Sequence, residues 1–271
     1  MVVAFAELLA DLRAETRVVE DMLTGLSHAA WDAPTPAAGW AIRDQVSHLA
    51  YFDEAATRAA VDPDRFRAVE AKQVSRNPAF ADEVAQRHRG LPPAELSTWF
   101  RDARRRLVDT ASGLDPKLRV PWYGPEMSLA SSITARLMET WAHGQDIADT
   151  LGVERAPTVR LRHVAHLGVR TFGFVFGLHG RPVAADPVRV ELTGPDGATW
   201  TWGPPRARDT VSGPALDFCL VVTQRRHVAD TALEISGPVA AEWMSIAQAF
   251  AGLPGPGRAP GELARKETTV R

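Results

Sequence analysis

The apolar residues of this chain change their rhythm near Gly152, and that change most limits what it can fold into. Before Gly152 they recur every three or four positions, the period of an amphipathic helix. Residues 3–25 set the pattern, with Phe5, Leu8, Leu9, Leu12, Val19, Met22 and Leu23 on one side and acids and arginines between them. Asp32-Ala33-Pro34-Thr35-Pro36-Ala37-Ala38-Gly39 then excludes a continuous helix. A second helix is predicted from near Trp40 to about residue 60. A polar helical stretch is predicted over 63–89, and a third long helix from Pro93, placed in its first turn, to about Ser112. Residues 113–128 read as a loop and 129–151 as the last helix of this half. Four long helices with irregular connections predict a four-helix bundle over residues 1–152.

Beyond it, residues 158–178 fit one more helix. Val188-Arg189-Val190-Glu191-Leu192-Thr193 and Thr199-Trp200-Thr201-Trp202 alternate on either side of Pro195-Asp196-Gly197, a β-hairpin signal. Alternating tryptophans of this kind are commonly core, though Trp200 and Trp202 also suit the lining of an apolar pocket. Ser212-Gly213-Pro214 is expected to open a helix to about Arg226, Leu233–Gly237 to form a short strand, and Pro238 to start a final helix to about Phe250. Residues 153–252 therefore predict a smaller α+β domain, and 253–271 a tail with no fold of its own.

With 45% apolar and 24% charged residues the chain has the composition of a globular protein, not a disordered one. A net charge of −2 gives no basic field for nucleic acid or an anionic membrane. The charged N-terminal helix does not fit a signal peptide, and no stretch reaches the roughly 20 apolar residues of a membrane span, so the cytoplasm is the expected location. Cys219 is the only cysteine, which rules out an intramolecular disulfide or a thiolate zinc cluster. It lies in the apolar run Phe218–Val222 and reads as a small buried hydrophobe. Any metal must be held by histidine and carboxylate.

Glu139, His143 and Asp146 stand at i, i+4 and i+7 of the 129–151 helix and so share a face. His48 sits among Val46, Leu49 and Tyr51 on the second helix, one turn after Asp44. A polar stripe on a core helix is costly unless it is paired or coordinates something. Two imidazoles and a carboxylate suffice to bind zinc and leave a position open, as catalytic sites do. Asp44 and Asp146 are then placed to hold the other ring nitrogens. Spacing alone leaves another reading open, because such Glu–His pairs also occur on solvated faces and a single histidine on an apolar helix is commonly a hydrogen-bonded core residue.

The run Trp40-Ala41-Ile42-Arg43-Asp44-Gln45-Val46-Ser47-His48-Leu49-Ala50, together with Glu139-Thr140-Trp141-Ala142-His143-Gly144-Gln145-Asp146, resembles the metal-binding N-terminal domain of mycothiol-dependent maleylpyruvate isomerases, within the wider DinB/YfiT-like family. The resemblance covers residues 1–152. More weakly, the second half is similar to the α+β, sterol-carrier-like domain that follows the bundle in these isomerases. It implies His48, Glu139 and His143 as ligands of one divalent metal, zinc by donor chemistry, with nickel, iron and manganese open. One departure is Ala41, where the family often carries a capping Ser or Thr.

The resemblance also implies a metal that activates a small thiol, mycothiol or a relative such as bacillithiol, for attack on an electrophile. In the isomerase, addition to a maleyl double bond permits rotation before the thiol leaves. Arginines would hold an anionic substrate or thiol, and the candidates are Arg225 and Arg226, with Arg87 and Arg89 on the third helical stretch. The expected partners are thus a small-molecule thiol and electrophile, with the chain a monomer or homodimer. Two other readings stay open. One is a hydrolase using Glu54, Asp44 or Asp146 as base, and the other a non-enzymatic metal- or ligand-binding protein.

Overall fold

The computed structural model describes residues 4–255 and 257–262, which fall into two compact units, Met1–Arg155 and Ala156–Arg271. In the first, α1 (Phe5–Leu23) is followed by the short α2 (His28–Trp31) and by α3 (Ile42–Val61). The breaker-rich segment between α2 and α3 is an ordered turn. Its ends meet in a Pro34–Ala41 bridge, where the Thr35 amide donates to the Trp40 carbonyl and the Trp40 amide to the Ala37 carbonyl. The polar stretch after α3 is broken rather than continuous. It consists of α4 (Pro63–Arg65), a π-helical turn at Phe66–Glu70, α5 (Gln73–Arg76) and α6 (Phe80–His88). Pro63 fixes the first of these pieces, with the Asp62 carboxylate accepting from the Arg65 amide. α7 (Pro93–Ser112) begins on its proline as expected. The strands β1 (Arg119–Val120) and β2 (Met127–Ser128) pair within the predicted loop before α8 (Leu129–Leu151).

The long helices α1, α3, α7 and α8 pack on one another around Val19, Ile42, Val46, Leu49, Leu96, Phe100 and Ile147, all fully buried. A second cluster, Phe52, Phe66, Phe80 and Val84, carries the broken segment on α3. The core also holds charge. Asp53 on α3 accepts from Nε of Arg104 on α7 at 2.7 Å and from Nε of Arg136 on α8 at 2.9 Å. Arg104 donates further to Thr16 on α1 and Thr140 on α8. This network joins all four long helices.

The second unit opens with α9 (Leu161–Arg170) and α10 (Phe172–Leu178) rather than one helix, the chain breaking at Thr171, whose hydroxyl turns back to the Gly168 carbonyl. Three glycines, 168, 173 and 177, lower the helical propensity on both sides of the break. Strands β3 (Val188–Thr193) and β4 (Thr199–Trp202) form the predicted hairpin. Trp200 is core, whereas Trp202 is half-buried and donates to His166 Nδ1 at 3.2 Å. Ser212-Gly213-Pro214 does not open a helix. It ends β5 (Asp209–Pro214), which runs parallel to β3, and α11 (Ala215–Val222) starts only after Pro214. At Gly213, φ is +137° and a Cβ would stand 2.9 Å from the Ala232 carbonyl, so glycine serves a close strand approach there and not a cap. β6 (Glu234–Ser236) completes a sheet of order β4-β3-β5-β6, and α12 (Pro238–Ile246) ends earlier than predicted.

Cys219 is fully buried, with Sγ toward the Leu161 carbonyl, and burial pushes its thiol well above its usual range. Part of the predicted tail is anchored, since Gly261 N–H donates to both Asp230 carboxylate oxygens at 2.9 Å; residues 263–271 lie outside the described residues. No helix among the described residues is long and apolar enough to cross a membrane.

Candidate metal centre

Helices α3 and α8 pack side by side, and the contact brings His48 to Glu139 and His143, a pair one turn apart and some 90 residues further along the chain. His48 Nε2 and His143 Nε2 face the same oxygen of Glu139, at 3.4 Å and 3.0 Å. One ligand atom from each of the three residues lies within 4.8 Å of the others, the one such group of three or more His, Cys, Asp or Glu among the described residues. The His48 and Glu139 side chains keep 12% and 18% of their exposure and His143 keeps 10%, so the cluster is sunk in the bundle yet open to solvent.

The electrostatics suit a cation. Burial pushes the Glu139 carboxyl up, but the two imidazoles facing it outweigh that effect and hold it well below the usual carboxylate range. Burial, reinforced by His143, lowers His48 to about 4, so its ring is neutral near pH 7. An ionised carboxylate and neutral imidazole are the forms that bind zinc. Donors about 2.0–2.2 Å from a shared zinc in tetrahedral array stand roughly 3.3 Å apart. The two observed separations match that span, and the residues present fit the metal.

Aromatic rings wall the cluster. Trp40 stacks nearly parallel on His143, with centroids 5.9 Å apart and planes at 13°, and tilts against His48 at 5.3 Å. Phe52, one turn along α3, packs against His48 at 4.5 Å and leads into the ring cluster of Phe66, Phe80, Trp122 and Tyr123. Trp40 is itself pinned by its indole N–H donating to Asp82 at 2.7 Å.

The groups expected to orient the two rings do something else. Asp44 does not hold His48, whose Nδ1 is buried without a partner. Its carboxylate accepts from the Ala41 amide at 2.8 Å, and from Arg89 Nε and Nη2 at 2.8–3.2 Å. Arg89 also donates to the Gly39 carbonyl at 2.7 Å. Its guanidinium therefore ties the turn before α3 to α6 instead of standing ready for substrate. Nor does Asp146 take the second ring nitrogen of His143, which is bonded to Gln45 Oε1; Asp146 itself is fully buried. Arg87 is exposed on α6. Arg225 and Arg226 belong to the second unit, after α11. There Arg225 donates to the Thr223 carbonyl, and Arg226 lines a cavity with His179, His227 and Arg258.

Sequence reasoning missed Gln45 and Trp40 as parts of the site. The available signal was an amide at a fully buried position of α3, one turn before His48, where the pattern calls for an apolar residue.

Comparison with known proteins agrees with this architecture. Two crystal structures of the mycothiol-dependent maleylpyruvate isomerase, one of a point mutant, superpose on 82% of this chain and 90% of theirs with a TM-score of 0.58 at 17% identity, which establishes a shared fold. Proteins described as uncharacterized in two strains of Mycobacterium tuberculosis are 44% identical over 250 residues, covering 92% of this chain and 97% of theirs. In the second unit, residues 184–234 match a family model described as wyosine base formation. Residues 12–148, which contain all three converging donors, match the model of the mycothiol maleylpyruvate isomerase N-terminal domain, and the chain belongs to that family.

Proposed function

We propose that His48, Glu139 and His143 bind one divalent metal, zinc by donor chemistry, and that the protein is a cytoplasmic isomerase or S-transferase joining a mycothiol-type thiol to a small electrophile. The observation that carries this reading is the meeting of Glu139 with two imidazoles from α3 and α8 at zinc-compatible separations. Family membership adds the thiol. A bound metal would supply the Lewis acidity that lowers the pKa of a thiol.

The chain's own residues do the remainder. Glu139 offsets the metal's positive charge inside the bundle. Trp40 and Phe52 hold both rings against rotation, so little reorganisation is needed on binding. The neighbouring aromatic cluster gives one wall of the centre an apolar character, which strengthens charge interactions near it.

The test is elemental analysis of protein purified without chelator or polyhistidine tag, with His143→Ala alongside, followed by turnover of maleylpyruvate and other small electrophiles with and without thiol. Near-stoichiometric metal lost in His143→Ala, with turnover requiring both metal and thiol, is the expected result. Wild-type protein that holds no metal and takes up no zinc would remove the ligand assignment. Metal-dependent turnover without thiol would instead select a hydrolase.

A further inference from the structure

The two histidines of the centre are not held alike. His48 Nδ1 has no hydrogen-bond partner, and the ring meets the carboxylate only through Nε2, 3.4 Å from Glu139, so no acceptor on Nδ1 turns its Nε2 lone pair toward that oxygen. His143 ends a directional chain that runs back into the turn before α3. The Thr35 hydroxyl lies 2.9 Å from the Trp40 backbone carbonyl, which can only accept, so Thr35 must donate there. Its oxygen then receives the Gln45 Nε2–H at 2.8 Å. That contact fixes which way round the Gln45 amide lies, and its Oε1 faces His143 Nδ1. An amide oxygen cannot donate, so Nδ1 carries the proton.

We propose that Gln45 is the positioning residue that holds His143 as the Nδ1–H tautomer and so presents the Nε2 lone pair toward Glu139 as a metal donor. The geometry of the pair supports this assignment. In neutral His143 so held, a nitrogen lone pair and a carboxylate oxygen face each other at 3.0 Å, an arrangement that repels until a proton or a metal ion stands between them. The chain thus selects for a cation at one of the two rings. It also gives the Pro34–Gly39 segment a task, because that turn places both Thr35 and the Trp40 carbonyl. Gln45 is wholly buried, and leaving its amide unpaired would be unfavourable, so the chain is held as a unit.

The proposal rests on the metal reading above, and two measurements separate their failures. Long-range proton–nitrogen correlation on zinc-free, nitrogen-15-labelled protein at about pH 8, above the imidazole range, reads the tautomer directly. His143 should be Nδ1–H in wild type, predominantly Nε2–H in Gln45→Met, and Nδ1–H again in Gln45→Glu, which keeps the acceptor. Zinc affinity, measured by competition with a chromophoric chelator, should fall about 10–100-fold in Gln45→Met, the range for loss of an outer hydrogen bond to a ligating histidine. It should be largely restored in Gln45→Glu. Thr35→Val, which breaks the chain one step further away and serves if Gln45→Met fails to fold, should show a mixed tautomer and a smaller loss. An Nε2–H ring in the wild type, or a Gln45→Met protein with unchanged tautomer and zinc affinity, would overturn the proposal. A wild type with Nδ1–H that binds no zinc would retire the metal reading and leave the tautomer lock standing.

Discussion

Two polar clusters lie within the same helical unit, and they are finished differently. Around Asp53 both carboxylate oxygens are engaged, one by each of two arginines, and the other two nitrogens of Arg104 donate to Thr16 and Thr140. Around Glu139, both ring nitrogens converge on one oxygen and a buried nitrogen of His48 has no partner. Both clusters draw on α3 and α8, and Asp53 follows His48 by little more than one helical turn. A buried polar group is tolerated when its hydrogen bonds are complete. The Asp53 network is complete and serves to lock helices together. The Glu139 cluster is incomplete as protein alone, and an incomplete cluster that opens to solvent is where an added ion or substrate gains most.

The largest expected effect breaks the first cluster. Asp53→Ala leaves Arg104 and Arg136 buried without their counter-charge, and losing one partner of such a network costs about 3–5 kcal/mol. Burial already pulls the Arg104 guanidinium below its ordinary value, which Asp53 opposes. Urea unfolding of zinc-free protein should therefore show a large drop in midpoint, while zinc bound per folded molecule stays as in wild type. A loss of zinc binding equal to the loss of stability would mean the two clusters are one unit and the distinction is false.

The next effect belongs to the second cluster. Zinc at about 100 times its Kd should stabilise the wild type by roughly 2.7 kcal/mol, since only the folded chain assembles the three donors. The same zinc should leave the midpoint of His143→Ala almost unmoved. Equal stabilisation of both proteins would place the metal elsewhere and sink the Glu139 centre as its site.

Much of this was readable from residue order. The long helices carry regular apolar spacing between proline-rich breaks, so α1, α3, α7 and α8 emerge with boundaries within a residue or two of those observed. The three donors were legible as face positions on two helices. Their partners were not, because partner choice depends on how helices cross. Asp44 looks toward His48 in sequence, but in space Arg89, 45 positions away, takes its carboxylate. Gln45 contacts His143 across 98 positions, and no local pattern announces that. In the second unit, Ser-Gly-Pro carries the punctuation of a helix start, and the strand it ends is set by β3 beside it. Local signals there lost to sheet pairing, as they commonly do for short segments.

The smallest effect sharpens the comparison from the scaffold side. Ala41 has the extended backbone of an N-cap, and Asp44 already accepts from its amide, yet Ala41 has no side-chain acceptor to return the bond. Ala41→Ser would complete the reciprocal arrangement, with the new hydroxyl accepting from the Asp44 amide. The expected gain is about 0.5–1 kcal/mol, a rise of a few degrees in Tm. Because α3 carries His48, Gln45 and Asp53 together, this variant steadies the start of the helix that both clusters share. Zinc affinity should stay within a few-fold of wild type, since the donors are already held by Trp40, Phe52 and Gln45. If tightening the first turn of α3 instead raised zinc affinity in proportion to stability, fraying of that turn would be limiting the site. The openness of the Glu139 cluster would then belong to the helix end and not to its unfilled donors.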